Sequence, residues 1–176
     1  MYYCIILTAA GLLVAADQFT KWLAVQHLAS GPAFSLWDGV LEFTYSENTG
    51  IAWGMLKNSR WIVSVATALM LIAVLYILMS GKIRHQKLLT FGTTLVLAGG
   101  LGNLIDRVFN GYVVDFIHYY KWFDFPVFNL ADCCITVGAI LILIALIFFN
   151  KEDEKEETAG DTVPLDARSG SDQHTD

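Results

Sequence analysis

The chain has 176 residues, of which 55% are hydrophobic, and its formal net charge is −6. This length indicates a single domain, and the absence of a basic patch with interleaved aromatic residues argues against a nucleic-acid partner. Residues 1–150 hold eight acidic and eight basic residues, so the whole charge imbalance lies in residues 151–176. We therefore predict one folded domain over 1–150 and an acidic, disordered tail over 151–176.

Apolar runs dominate the first 150 residues. A first run, residues 4–25, contains only Asp17 and Lys21 as charges, and their spacing of four allows them to pair on one helix face. This run lacks the basic start and the cleavage site of a signal peptide, so we predict a retained helix. A membrane-spanning helix needs roughly 20 mostly apolar residues. Three further uncharged runs approach this length: 61–79, 88–105 and 133–149. The predicted fold class is an all-α membrane protein with four transmembrane helices.

The connections between these helices suggest an orientation. The segment 80–87 is short and basic, which is typical of a cytoplasmic connection. Four spans would then place both termini in the cytoplasm, and the segments 26–60 and 107–130 outside it. Within the first of these, residues 41–46 alternate between apolar and polar side chains, which predicts a half-buried strand.

Four aspartates lie near the ends of the last two predicted helices, where charge is expensive to place in a membrane. The sequence has no H-E-x-x-H motif, its histidines are scattered and its cysteines lack metal-site spacing, so we predict no metal and no cofactor. A pair of aspartates that shares one proton can activate water and polarise a peptide carbonyl without either.

Asp132, at the start of the fourth helix, fits one member of such a pair. Asp106, Asp115 and Asp124 are the candidates for the other. Asp106 is predicted to be a structural partner of the adjacent Arg107, and Asp124 is expected to face solvent. Asp115 lies in an apolar run, where burial would raise its pKa, so the residues favour it without excluding the others.

Two other functional classes remain open on the residues alone. Intramembrane Asp, Lys and Arg also mark ion pathways, which makes a small proton- or ion-coupled membrane transporter the alternative prediction. A thiol oxidoreductase could use the adjacent Cys133 and Cys134. Solute flux in liposomes would indicate the transporter, whereas loss of activity on replacing both cysteines would indicate the oxidoreductase.

Five short motifs in one order resemble the lipoprotein signal peptidase family, the signal peptidase II type of bacterial aspartyl membrane protease. They cover most of the apolar part of the chain. The motifs are D-Q-F-T-K from Asp17, N-T-G-I-A-W-G from Asn48, G-N-L-I-D-R from Gly102, V-V-D-F from Val113 and F-N-L-A-D from Phe128.

This resemblance implies that Asp115 and Asp132 are the catalytic pair. It implies as substrate a prolipoprotein whose lipobox cysteine carries diacylglycerol, cut just before that cysteine. It also implies membrane lipid as a second partner and an extracytoplasmic β-rich cradle with a short gating helix at about 35–60. The enzyme would lie in the bacterial cytoplasmic (inner) membrane with its site facing the outer leaflet. The substrate-binding or supporting residues would be Asn48, Gly50, Asn103, Asp106, Arg107, Asn129, Asp17 and Lys21.

The chain departs from the family pattern at two positions. Trp53 stands where phenylalanine is usual, and Cys133 stands where a small residue such as serine is common. Cysteine is also small, so we expect the packing to be kept and a hydroxyl hydrogen bond to be lost. The sequence does not indicate an oligomeric state and is compatible with a monomer.

Overall fold

The computed structural model describes residues 1–50 and 60–160, and for 148–160 it describes only the course of the helix. All four predicted helices are present, and each is long and apolar enough to cross a membrane. In chain order the elements are α1 (Tyr2–Leu28), β1 (Phe34–Trp37), β2 (Leu41–Asn48), α2 (Arg60–Met79), α3 (Lys87–Phe109), β3 (Val113–Tyr119) and α4 (Leu130–Gly160).

Helix α3 is the centre of the bundle, and the other three helices pack around it. Glycines let α4 come close, as small residues do between membrane helices. A β-carbon on Gly92 would lie 2.8 Å from the carbonyl oxygen of Gly138 on α4. On the α2 side, a β-carbon on Gly100 would meet the side chain of Leu71 at 2.6 Å. Larger residues at these two glycines would therefore push the helices apart.

The outer surface is apolar and the interior holds charges, the reverse of the pattern in a water-soluble protein. Buried polar side chains include Asp17, Lys21, Asn103, Asp106, Asp115 and Asn129. Large apolar side chains are exposed along α2 and α4, among them Trp61, Ile62, Leu69, Ile72, Ile140, Leu143 and Ile147. This arrangement suits helices surrounded by lipid.

A three-stranded antiparallel sheet in the order β1-β2-β3 joins the helices at one end of the bundle. The range of about 35–60 predicted for the cradle was too narrow, because the third strand of the sheet is Val113–Tyr119. On the side of β2 that does not pair with β1, the backbone N–H and C=O groups need hydrogen-bond partners, and β3 supplies them. The expected gating helix and Trp53 involve residues 51–59, which lie outside the described residues.

Helix α4 continues to Gly160, so it runs ten residues into the segment that the sequence analysis assigned to a disordered tail. Residues 151–160 are rich in glutamate and lysine and include an alanine, all of which favour helix. A segment of charged residues is too polar to bury a core, but it can still extend a helix that has already formed. Residues 161–176 lie outside the described part of the chain.

Candidate active site

Asp115 and Asp132 come together where β3 meets the start of α4. Asp115 lies in the middle of β3 and is only 2% exposed, whereas Asp132 lies in the first turn of α4 and is half-buried. The chain between them returns to β3 through two hydrogen bonds, from Ile117 N to Phe128 O at 2.8 Å and from Phe128 N to Ile117 O at 3.0 Å. This short bridge places α4 beside the strand.

Asn129, the residue before α4, links the two aspartates. Its Nδ2 donates to Asp115 Oδ1 at 2.6 Å, and its Oδ1 accepts from the backbone N–H of Asp132 at 2.9 Å. Asp132 Oδ2 in turn accepts from the backbone N–H of Asn129 at 3.2 Å. The last two bonds form a reciprocal cap on the N-terminus of α4. Capping therefore fixes the Asp132 carboxylate and aims the Asn129 amide at Asp115.

Asn103 holds Asp132 from α3, and Lys21 sets the orientation of Asn103. Lys21 Nζ donates to Asn103 Oδ1 at 3.0 Å. Because an ammonium group can only donate, the amide oxygen must face Lys21. The Nδ2 group of Asn103 is then directed at Asp132 Oδ1, at 2.8 Å.

Two further carboxylates grip the backbone next to the aspartate pair. Asp17 Oδ1 accepts from the N–H of Ala131, the residue before Asp132, at 2.9 Å. Asp106 Oδ2 accepts from the N–H of Val114, the residue before Asp115, at 3.1 Å. Each aspartate of the pair is therefore held in place by a buried carboxylate that binds the backbone N–H of the residue before it.

Lys21 contacts both of these carboxylates, and its pairing with Asp17 agrees with their spacing of four residues on α1. Its Nζ lies 2.8 Å from Asp17 Oδ2 and 3.1 Å from Asp106 Oδ2, and its side chain is 3% exposed. With Asn103, all three ammonium protons have an acceptor. The prediction that Asp106 pairs with Arg107 was wrong, because neighbouring residues on a helix point in different directions.

Gln18 also belongs to this cluster, although the sequence analysis did not single it out. Its Nε2 lies 3.2 Å from Asp17 Oδ2, 3.1 Å from Asp106 Oδ1 and 3.2 Å from the carbonyl oxygen of Gly102. Its position inside the D-Q-F-T-K motif was the available signal. Spacing alone could not show that residue 18 faces the same cluster as residue 17.

Three of the predicted site residues lie beside the pair, where β2 ends: Asn48, Gly50 and Arg107. Asn48 Nδ2 donates to Asp115 Oδ2 at 3.0 Å, and its Oδ1 accepts from the N–H of Gly50 at 3.0 Å. Arg107 Nη2 donates to the carbonyl oxygen of Gly50 at 3.1 Å, and Nη1 to that of Asn103 at 3.4 Å. A turn at the end of β2 thus aims one amide at Asp115 and holds the guanidinium close by.

A cavity of about 960 Å³ opens onto the aspartate pair. Four predicted site residues do not line it and form the support behind it: Asn129, Asp106, Asp17 and Lys21. Six do line it: Asp115, Asp132, Asn48, Gly50, Asn103 and Arg107. The site therefore has an open face toward the cavity and a buried, mostly charged layer behind it.

Burial raises the pKa of Asp115 to about 7, with the charge of Asp132 adding to the effect. Hydrogen bonds from Asn48 and Asn129 and the charge of Lys21 oppose the rise. A carboxyl group with this pKa can be protonated at neutral pH beside an ionised partner. The pair can therefore hold one shared proton under ordinary conditions.

Asp124, the remaining aspartate, is 85% exposed and lies 2.7 Å from the ring of His118, outside the cavity lining. Cys133 and Cys134 are free thiols. Within the described ranges, no group of three or more His, Cys, Asp or Glu side chains is arranged to hold a metal ion.

The chain is similar to signal peptidases in sequence. A family model described as signal peptidase (SPase) II matches residues 9–148. A lipoprotein signal peptidase of Halalkalibacterium halodurans is 34% identical over 90% of this chain and 99% of its own length. One of Geobacillus thermodenitrificans is 40% identical over 84% of this chain and 92% of its own length.

Solved structures of bacterial membrane enzymes share the fold. One has a TM-score of 0.75 at 30% identity and covers 98% of this chain and 94% of its own. Another has a TM-score of 0.73 at 36% identity and covers 81% of this chain and 92% of its own. These comparisons give no support to the transporter prediction. With a matching family model over most of its length and relatives of this similarity, the chain belongs to the signal peptidase II family.

Proposed function

We propose that the protein is a lipoprotein signal peptidase of the aspartyl type, with Asp115 and Asp132 as its catalytic residues. The observation that carries the proposal is that both carboxylates line one cavity and are linked by a single buried residue, Asn129. Pairs of this kind hydrolyse amide bonds by sharing a proton. The other residues of the site serve to hold the pair in place.

In this mechanism the ionised carboxylate takes a proton from a water molecule as the water oxygen attacks the scissile carbonyl carbon. The protonated carboxyl group donates its proton to the carbonyl oxygen, which gives a neutral tetrahedral intermediate. Collapse breaks the carbon–nitrogen bond, and the proton gained from water passes to the leaving amine. The proton from the intermediate's hydroxyl returns to the pair, which regains its starting state.

We assign the shared proton to Asp115 and the role of base to Asp132. Burial favours the neutral form of Asp115, whose pKa is raised to about 7. Each carboxylate accepts two hydrogen bonds, but Asp132 alone lies at the start of a helix, where the dipole of α4 favours negative charge. The titration belongs to the pair, so the assignment describes its dominant form.

The substrate we propose is a prolipoprotein whose diacylglyceryl-modified cysteine follows the scissile bond. The cavity has apolar wall residues next to the aspartates, including Met70, Val127, Ile135 and Val137. A substrate whose lipid chains stay in the bilayer could rest against these walls while its peptide bond reaches the pair. Water would need to enter only at that point.

We further propose that the site faces the outer leaflet of the bacterial cytoplasmic membrane and that both termini are cytoplasmic. The basic 80–87 connection lies at the opposite end of the bundle from the sheet and the aspartates, as positive cytoplasmic connections would require. Residues 1–150 would form the peptidase domain, and 151–176 would be an acidic cytoplasmic tail.

Cleavage of a defined substrate tests the proposal. The purified protein would be incubated with a diacylglyceryl-modified prolipoprotein and with its unmodified form, and cleavage before the cysteine is expected only for the first. Asp115→Asn and Asp132→Asn should each lower cleavage to background, whereas Asp38→Asn, in the turn between β1 and β2, should not. Equal cleavage of both substrates, or normal cleavage by either of the first two variants, would contradict the proposal.

A further inference from the structure

We propose that His118, in its charged imidazolium form, is a positioning residue that holds one wall of the active-site cavity against the sheet. The wall is the segment 120–127, which connects β3 to the start of α4 and which we call the wall loop. The effect on substrate binding rests on the proposed function, whereas the contact itself does not.

His118 lies between two carboxylates from different elements. Its Nδ1 lies 2.9 Å from Glu42 Oε1, opposite it on β2, and its Nε2 lies 2.7 Å from Asp124 Oδ1 in the wall loop. An ionised carboxylate can only accept hydrogen bonds, and a neutral imidazole has only one N–H. Both contacts can therefore be hydrogen bonds together only when the ring carries two protons and a positive charge.

The wall loop reaches the active site on its other side. Phe125 and Val127 line the cavity that contains Asp115 and Asp132. The end of the loop is fixed by backbone bonds, from Phe125 N to Tyr119 O and through the pairing of Ile117 with Phe128. The Asp124 side chain is the described contact that joins the loop to β2 through His118. Loss of that contact would leave the loop held by its backbone bonds, among them one from Tyr120 N to Val40 O at 3.1 Å, and would loosen the cavity wall between them without touching the aspartate pair.

The surroundings of His118 favour its charged form. Glu42 raises the pKa of His118, burial opposes this, and Asp124 raises it further. The ring of Tyr120 lies 5.3 Å from the His118 ring, and the ammonium group of Lys121 points instead over the rings of Trp37 and Trp122. Two anions and an aromatic ring therefore face the imidazole.

The sign of the pH effect follows from this raised pKa. The unfolded chain would bind the His118 proton less tightly, so the contact is fully present below the ordinary pKa of histidine. It is lost as the pH rises through the raised pKa of the folded protein. The wall loop is therefore expected to be held at acidic pH and released as the pH rises through the raised pKa of His118.

The expected size is modest because the three side chains are partly exposed. Asp124 is 85% exposed, and exposed ion pairs typically change an equilibrium by up to about fivefold. We expect His118→Gln and Asp124→Asn to raise KM by up to about fivefold, because the wall is less often in place. kcat should stay near the wild-type value, because neither residue lines the cavity.

Hydrogen exchange of the full-length protein in detergent micelles tests the contact without requiring catalysis. After correction for intrinsic rates, peptides covering 120–127 should exchange faster in the wild type as the pH rises. In His118→Gln they should exchange fast at every pH, and in His118→Arg, which keeps a positive charge, the pH dependence should be lost. Asp38→Asn, which removes an exposed carboxylate from the same sheet, should behave as the wild type.

Two results would overturn the inference: the same exchange in His118→Gln as in the wild type at acidic pH, or an unchanged KM in both His118→Gln and Asp124→Asn. Asp124 is exposed, so its variant should fold even if the histidine variant does not. If exchange follows the predicted pattern but no prolipoprotein is cleaved, the proposed function fails and the contact stands. If cleavage is normal and exchange does not depend on His118, the proposed function stands and the inference about His118 fails.

Discussion

Replacing Lys21 with methionine should strongly destabilise the protein, because it removes the only cation in the described cluster of Asp17, Lys21 and Asp106. The ammonium group contacts both carboxylates at 2.8 and 3.1 Å and is 3% exposed. Methionine keeps most of the side-chain volume, so the change is mainly one of charge. Two negative groups would then remain in the helix bundle with their hydrogen-bond donors but without the cation that contacts both.

The magnitude follows from the burial of these groups. Breaking a buried ion pair by removing one member costs about 3–5 kcal/mol, because the remaining charge is left without compensation. A second change, Asp17→Asn in the Lys21→Met background, restores the net charge of the cluster. It should recover roughly half of the loss, since the amide oxygen can still accept from Ala131 while the contact with Asn103 stays missing.

The assay is reversible unfolding in mixed detergent micelles, which gives the free energy of unfolding of each variant. Lys82→Met, in the connection between α2 and α3, is the matched control because Lys82 is exposed, and it should stay within about 0.5 kcal/mol of the wild type. A Lys21→Met protein within about 1 kcal/mol of the wild type would refute the reasoning. So would a double variant no more stable than the single one.

Three further predictions concern the pair, the packing and the thiols. Cleavage should follow a bell-shaped pH profile and fall as the pH rises through about 7, where Asp115 loses the shared proton; constant activity from about pH 6 to 9 would contradict this. Gly92→Ala should lower the thermal midpoint of unfolding, because its new β-carbon would lie 2.8 Å from an α4 carbonyl oxygen, whereas Gly11→Ala, with open space around it, should not; equal midpoints would count against the close approach. Replacing both Cys133 and Cys134 with serine should leave most prolipoprotein cleavage intact. A full loss of activity would instead favour the thiol oxidoreductase that the sequence left open.

The sequence could predict what depends on local composition. The four helices follow from their apolar runs, and the Asp17–Lys21 pair follows from a spacing of four on a helix. The strand at residues 41–46 follows from alternation and lies within β2. Each of these features is set by residues that are neighbours along the chain.

Other features depend on contacts between distant segments, which spacing does not reveal. Asp106 was assigned to Arg107, its neighbour in sequence, but its partner is Lys21 on another helix. Nothing in residues 113–119 shows that they complete the sheet begun by β1 and β2, because strand pairing is decided by what lies alongside. The contact of His118 with Glu42 across 76 positions has the same origin.

The hydrogen bond that Asp17 accepts from the N–H of Ala131 joins residues 114 positions apart, which affects when the site can form during biosynthesis. Asp17 and Lys21 lie on one face of α1, so the two charges can enter the bilayer as a neutral pair before the later helices are made. The pocket around Asp132 cannot close until α4, the last helix to be synthesised, meets α1, the first. A partly inserted chain would therefore lack an organised aspartate pair, and hydrolytic activity would begin only when the bundle is complete.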